Sequence, residues 1–157
     1  MPEELIISDA SPLIALIHIG QVDLLRQMYR RVIITDVVRG EIHADLPEWI
    51  EVSTDYEVQQ YQLLRLELDS GEASAISLAL KHTDCRIILD ERKGRLVAKR
   101  LHLKVTGTVG LIVKAKETGL IKSGKAVLTQ LEAHGFWLSE KLRVQILARM
   151  GESENTQ

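Results

Sequence analysis

At 157 residues and a formal net charge of −2, the chain has room for one domain with a sizeable core and little room for two. Apolar residues make up 45% and charged residues 27%, which excludes a disordered chain, and no apolar run approaches the roughly 20 residues of a membrane span. A single cysteine, Cys85, excludes an internal disulfide framework and reads as a core thiol at a strand end.

Taken in chain order, Leu5-Ile6-Ile7-Ser8 reads as a strand that Asp9 ends, with Ser11 able to cap the following helix and Pro12 in its first turn. Leu13 to Ile17 and Val22 to Tyr29 read as helices broken at Gly20. Val32 to Ile34 is a second strand, leading through Thr35 or Asp36 into a helix that carries Val37, Val38, Glu41 and Ile42 and closes at Pro47. Trp49 to Val52 is a short strand, and Tyr56 to Leu66 has helical spacing. Asp69-Ser70-Gly71-Glu72 opens an Ala- and Leu-rich helix to about Lys81. Arg86 to Leu89 is a buried strand ending at Asp90, with Arg92 to Leu101 as its return helix. Val105-Thr106 is a last short strand, and Gly107-Thr108 turns into a helix, Val109 to Glu117. Two helices follow, Lys125 to His134 and Ser139 to Met150. The domain is expected over 1–150, with a disordered polar tail over 151–157.

Continuous apolar strands alternating with helices imply an α/β fold, a mainly parallel sheet covered on both faces. Ligands of such sheets bind outside the carboxyl ends of the strands, and Asp9, Asp90 and the Thr106-Gly107-Thr108 turn fall at that edge.

The small net charge hides an asymmetry. Met1 to Glu91 carries seventeen acids and seven bases; Arg92 to Lys125 carries ten bases and the single acid Glu117. Such a division suits a metal site beside a phosphate-binding surface, although solvated helix lysines would look the same. The acidic start, Met1-Pro2-Glu3-Glu4, lacks a basic leader, so a cytoplasmic location is expected.

Other motifs fail. Gly119 to Ala126 approaches a phosphate loop, but Ala126 replaces the metal-binding hydroxyl and a helix precedes it. The histidines are scattered without zinc-ligand spacing. With one Phe and few other aromatics, no base-stacking platform is evident.

Five segments in fixed order carry a resemblance: Ser8-Asp9-Ala10-Ser11-Pro12-Leu13-Ile14, Val38-Arg39-Gly40-Glu41-Ile42, Leu68 to Ile76 around Gly71-Glu72-Ala73, Leu89 to Arg95, and Val105 to Gly110. In these the chain resembles the PIN-like domains of the VapC type, within a branch associated with toxin-antitoxin loci. The resemblance implies a three-layer sandwich around about five parallel strands. It implies a magnesium- or manganese-dependent endoribonuclease acting as the toxin of a type II pair, with RNA as substrate, a small antitoxin as partner and a homodimer as assembly.

Carried over by motif, Asp9, Glu41, Glu72 and Asp90 are the metal ligands. Many VapC-type proteins have Asp where this chain has Glu72, which leaves that residue's reach to a metal open. Hard divalent cations independently favour such a carboxylate set. Local sequence offers rival readings: Glu72 with Asp69 as a capping box, Glu41 as a solvated helix residue, and Glu91 as a first-turn acid or substitute ligand. Ser11, Thr106 and Thr108 read as caps or as hydroxyls near the site. Arg92, Lys93, Arg95 and Lys99 are candidates to position a nucleic-acid backbone. The rivals in function are a PIN-like binding or regulatory protein with an idle site, and a phosphatase or other phosphoryl-transfer enzyme.

Overall fold

The computed structural model describes residues 3–156. In chain order the elements are β1 (Glu3–Ser8), α1 (Ala10–His18), α2 (Asp23–Met28), β2 (Tyr29–Thr35), α3 (Asp36–Glu41), β3 (Ile50–Ser53), α4 (Val58–Leu64) and α5 (Ser70–Leu80). There follow β4 (Arg86–Ile88), α6 (Arg92–Arg100), β5 (Lys104–Thr106), α7 (Thr108–Glu117), α8 (Gly124–Ala133) and α9 (Glu140–Arg149). The five strands pair in the order β3-β2-β1-β4-β5, parallel throughout.

Successive residues of each central strand point to opposite faces, and both faces are covered. Ile6, Val32, Ile34 and Ile88 pack with Leu13, Leu25, Ile112, Leu128 and Leu147 from α1, α2, α7, α8 and α9. Leu5, Ile7, Ile33 and Ile87 pack on the other side with Ile76 and Leu78 of α5 and Ala98 of α6. This is why Leu5-Ile6-Ile7 and Val32-Ile33-Ile34 are apolar without alternation. Each such side chain contributes about 1.5–3 kcal/mol by burial. The fold is the expected α/β three-layer sandwich.

The strand order sets the functional edge. From β1 the chain builds outward through β2 and β3, then crosses back to lay β4 on the other side of β1. The switch point lies between the carboxyl ends of β1 and β4, where Asp9 N–H still donates to Ile88 O at 3.1 Å. Crevices for ligands form at such points.

Several details differ from the sequence reading. Asp9, not Ser11, occupies the N-cap position of α1; Ser11 lies exposed within its first turn. Tyr29 opens β2, because α2 passes into the strand with no Gly or Pro between them. The segment after Gly151 is anchored where disorder was expected. Glu152 is buried and accepts hydrogen bonds from Gly124 N at 2.8 Å and Lys125 N at 3.2 Å, and Lys116 Nζ lies 3.5 Å away. Met1, Pro2 and Gln157, which those expectations also touched, lie outside the described residues. Cys85 is buried as a core thiol. No described helix is long and apolar enough to cross a membrane.

Candidate metal centre

Asp9 leaves the sheet at the centre of the edge. Its Oδ1 faces Gly71 of α5, and only 8% of the residue is exposed. Burial pushes its pKa up from 3.8 to about 7; the Ala10 amide opposes this, while the charges of Asp69, Glu41 and Asp90 add to it.

Glu41 is brought alongside by a polar brace. Thr35 Oγ1 caps α3 by accepting from Val38 N at 3.0 Å and lies 2.7 Å from Ser74 Oγ. Ser74 Oγ in turn donates to Gly71 O at 2.9 Å. These bonds fix α3 against the first turn of α5, so that Glu41, the last residue of α3, and Asp9 converge over Gly71. A Cβ at Gly71 would lie 2.7 Å from Glu41 Oε2 and 2.9 Å from Asp9 Oδ1. The missing side chain is what makes room for both carboxylates.

On the other flank of α5, Asp69, Glu72 and Glu91 each place a carboxylate oxygen within 4.8 Å of the others. Asp69 Oδ1 accepts from Glu72 N at 2.9 Å, so the cap read from sequence is present. The Glu72 carboxylate does more than complete a cap: the residue is only 2% exposed, it abuts the backbone of Gly94, and its Oε2 has no hydrogen-bond partner. Burial, the hydrogen bond with Asp69 and the charges of Asp69, Glu91 and Asp9 together raise its pKa to about 8. An orphaned buried carboxylate oxygen is costly and invites a cation.

Asp90 is held rigidly. Thr108 N donates to its Oδ1 at 2.7 Å and Thr108 Oγ1 to its Oδ2 at 2.6 Å, so Asp90 caps α7 from the neighbouring strand. Thr108 therefore supports Asp90 rather than capping its own helix; Gly107 holds the N-cap position. Thr106 Oγ1 donates to Gly107 O at 3.3 Å. Arg95 Nη1 donates to Leu89 O at 3.0 Å, which commits part of that guanidinium to the backbone. Arg92, Lys93 and Lys99 are exposed on α6. Ser11 lines a separate cleft of about 250 Å³ with His18 and His134.

Of the four predicted ligands, Asp9 and Glu41 meet over Gly71, Glu72 lies with Asp69 and Glu91, and Asp90 stands apart against Thr108; the charges of Asp69, Glu41 and Asp90 act on Asp9, and those of Asp69, Glu91 and Asp9 on Glu72. Asp69 was missed as a member. Its spacing of three from Glu72, which puts both acids on one turn, was the available signal. Among the described residues no salt bridge reaches any of the six carboxylates. An all-carboxylate donor set with one orphaned oxygen fits a hard divalent cation.

Compared with known families, residues 5–152 match the family model described as a PIN domain. The chain belongs to the PIN domain family. No curated protein sequence and no solved structure gives a significant match. PIN domains are generally metal-dependent nucleases that act on nucleic acid, and the acidic edge of this PIN domain offers oxygen ligands of the kind such enzymes use.

Proposed function

We propose that this PIN domain is a Mg2+- or Mn2+-dependent endoribonuclease with Asp9, Glu41, Glu72 and Asp90 as the ligands of the ion. The observation that carries the reading is the buried, unpartnered Glu72 Oε2 beside the carboxylates of Asp69 and Glu91, with Asp9 and Glu41 meeting over the adjoining Gly71. A bound divalent ion supplies an activated water and offsets charge developing on the phosphoryl oxygens. With no cation bound, burial and then the charges of Asp69, Glu41 and Asp90 raise the Asp9 pKa to about 7. Thr108 orients Asp90 through two hydrogen bonds, and the Thr35 and Ser74 brace sets Glu41. Asp69 and Glu91 hold Glu72 in a strongly negative setting, and Glu91 is a reserve ligand. Thr106 offers a hydroxyl beside Asp90, whereas Ser11 faces a separate cleft, and Arg92, Lys93, Arg95 and Lys99 attract the phosphate backbone electrostatically.

The biological role that fits is the toxin of a toxin-antitoxin pair, cytoplasmic, homodimeric and restrained by a small antitoxin. This finer reading is supported by the resemblance to VapC-type proteins. Incubation of single-stranded RNA with Mg2+, Mn2+ or chelator tests the chemistry: cleavage should require metal and fall at least about 100-fold in Asp9→Asn and Asp90→Asn, the scale of losing a strong transition-state interaction. Equal cleavage by wild type and both variants sinks it. Turnover of short phosphoesters without RNA cleavage indicates a phosphatase, and metal-independent RNA binding without cleavage indicates an idle site. For the toxin role, induced expression should arrest growth, and co-expression of the neighbouring small reading frame should relieve it. Harmless expression contradicts that role.

A further inference from the structure

We propose that the cleft between α7 and α9 is a nucleobase subsite, in which an unpaired base next to the scissile phosphate stacks on Trp137. The choice of ligand rests on the nuclease reading; the cleft itself is an independent feature. It encloses about 460 Å³ and runs from Asp90 at the acidic edge to Trp137 and Arg149, within the range of about 300–1,000 Å³ common for ligand sites.

Trp137 is 81% exposed, and the fold makes it so. In the connection from α8 to α9, Phe136 N donates to Leu131 O at 3.0 Å, and Phe136 and Leu138 both turn into the core. Gly135, at φ 93°, allows the tight turn that precedes them. Alternation then sends Trp137 outward, so the indole is presented by a pinned segment. Val109 and Val113 of α7 line the floor. Arginines stand at two points of the wall. Arg95 uses only Nη1 for the Leu89 carbonyl, and Arg149 is exposed, its guanidinium making no ion pair or hydrogen bond among the described residues.

An exposed indole sharing one cleft with Val109, Val113 and two arginines matches a planar base whose phosphates lie on either side. Contact with Asp90 places such a base next to the reacting phosphate when the ion is held at the acidic edge. Exposed Leu142 on the cleft wall would suit a protein partner as well, but arginines flanking a cleft that opens onto the acidic edge favour the anionic, planar ligand.

Two measurements on the full chain test the assignment. In the first, Trp137→Ala and Trp137→Phe are compared on single-stranded RNA with Mn2+. Trp137→Ala should raise KM about fivefold or more, the lower end of one base–aromatic stack, with kcat changed by less than about twofold. Trp137→Phe should recover most of the loss, and an oligonucleotide abasic at the sensitive position should no longer distinguish the variants. In the second, Trp49→Phe leaves Trp137 as the sole tryptophan, and its fluorescence is followed with the same oligonucleotide in Ca2+. Quenching that the abasic oligonucleotide fails to produce supports the subsite even if the chain proves unable to cleave RNA. Cleavage by wild type with an unchanged KM in Trp137→Ala and no quenching overturns the subsite and leaves the nuclease reading standing. Loss of self-association in Trp137→Ala at unchanged KM assigns the surface to a second copy and likewise overturns it.

Discussion

If the acidic edge awaits a cation, the metal-free protein should be stabilised by neutralising Asp9. The sign follows from linkage. Because the fold raises this pKa from 3.8 to about 7, the folded state binds the proton more tightly than the unfolded chain. The resulting stability is fully present below the unfolded value and is lost as pH rises toward about 7. A displacement of about three pH units corresponds to about 4 kcal/mol, a ceiling that relaxation and water entry reduce to about 1–3 kcal/mol. Asp9→Asn removes that penalty with little change of shape. In chelator, above neutrality, the variant should melt roughly 2–10 °C higher than wild type, and the gain should vanish as the pH falls toward the ordinary carboxylate range. Adding Mg2+ or Mn2+ should raise the wild-type melting temperature and leave the variant nearly unmoved. Thermal denaturation followed by circular dichroism reads both effects. A variant that melts lower than wild type in chelator above neutrality, or equal stabilisation of both proteins by metal, would refute the reasoning.

Three further outcomes follow from the same geometry. Gly71→Ala puts a Cβ within 3 Å of oxygens of both Glu41 and Asp9, so metal affinity measured by titration calorimetry should fall at least about tenfold; an unchanged affinity would mean that the two carboxylates do not act together. Thr108→Val removes the hydroxyl donated to Asp90 at 2.6 Å and should cost about 1.5–3 kcal/mol in chemical denaturation, as for hydrogen bonds to charged groups, together with a loss of kcat. Glu152→Ala should cost about 1–3 kcal/mol because two backbone N–H groups lose their acceptor. Burial raises the Glu152 pKa, but the Lys125 and Gly124 amides and the Lys116 ammonium outweigh it and leave it lowered, so this contribution should fade as pH falls through the carboxylate range. A tail that is cut by protease in the native protein without loss of stability would contradict the last outcome.

The layers and the functional edge were legible because parallel strands buried on both faces must be apolar throughout, as Leu5-Ile6-Ile7 and Arg86 to Leu89 are, and because such strands must deliver Asp9 and Asp90 to their carboxyl ends. The cap of α1 was misassigned because Asp9 and Ser11 are both good capping residues two positions apart, and Pro12 tolerates either register. Asp69 was read only as a cap because nothing local shows that α6 returns Glu91 to the same spot; that is a tertiary fact. A count of aromatics could not show that Trp137 is exposed beside a cleft, because its exposure depends on Phe136 and Leu138 turning inward. Glu152 looked like part of a polar tail because its partners lie 27 and 28 residues earlier.

The central claim, that carboxylates just beyond β1 and β4 and on α3 and α5 form one divalent metal site, is tested most directly by titrating Mn2+ into metal-free protein and following the loss of its free electron paramagnetic resonance signal. The account predicts saturable binding by wild type that weakens at least about tenfold in Asp9→Asn and in Asp90→Asn. Binding of equal strength in all three proteins, or no saturable binding by wild type, would contradict it.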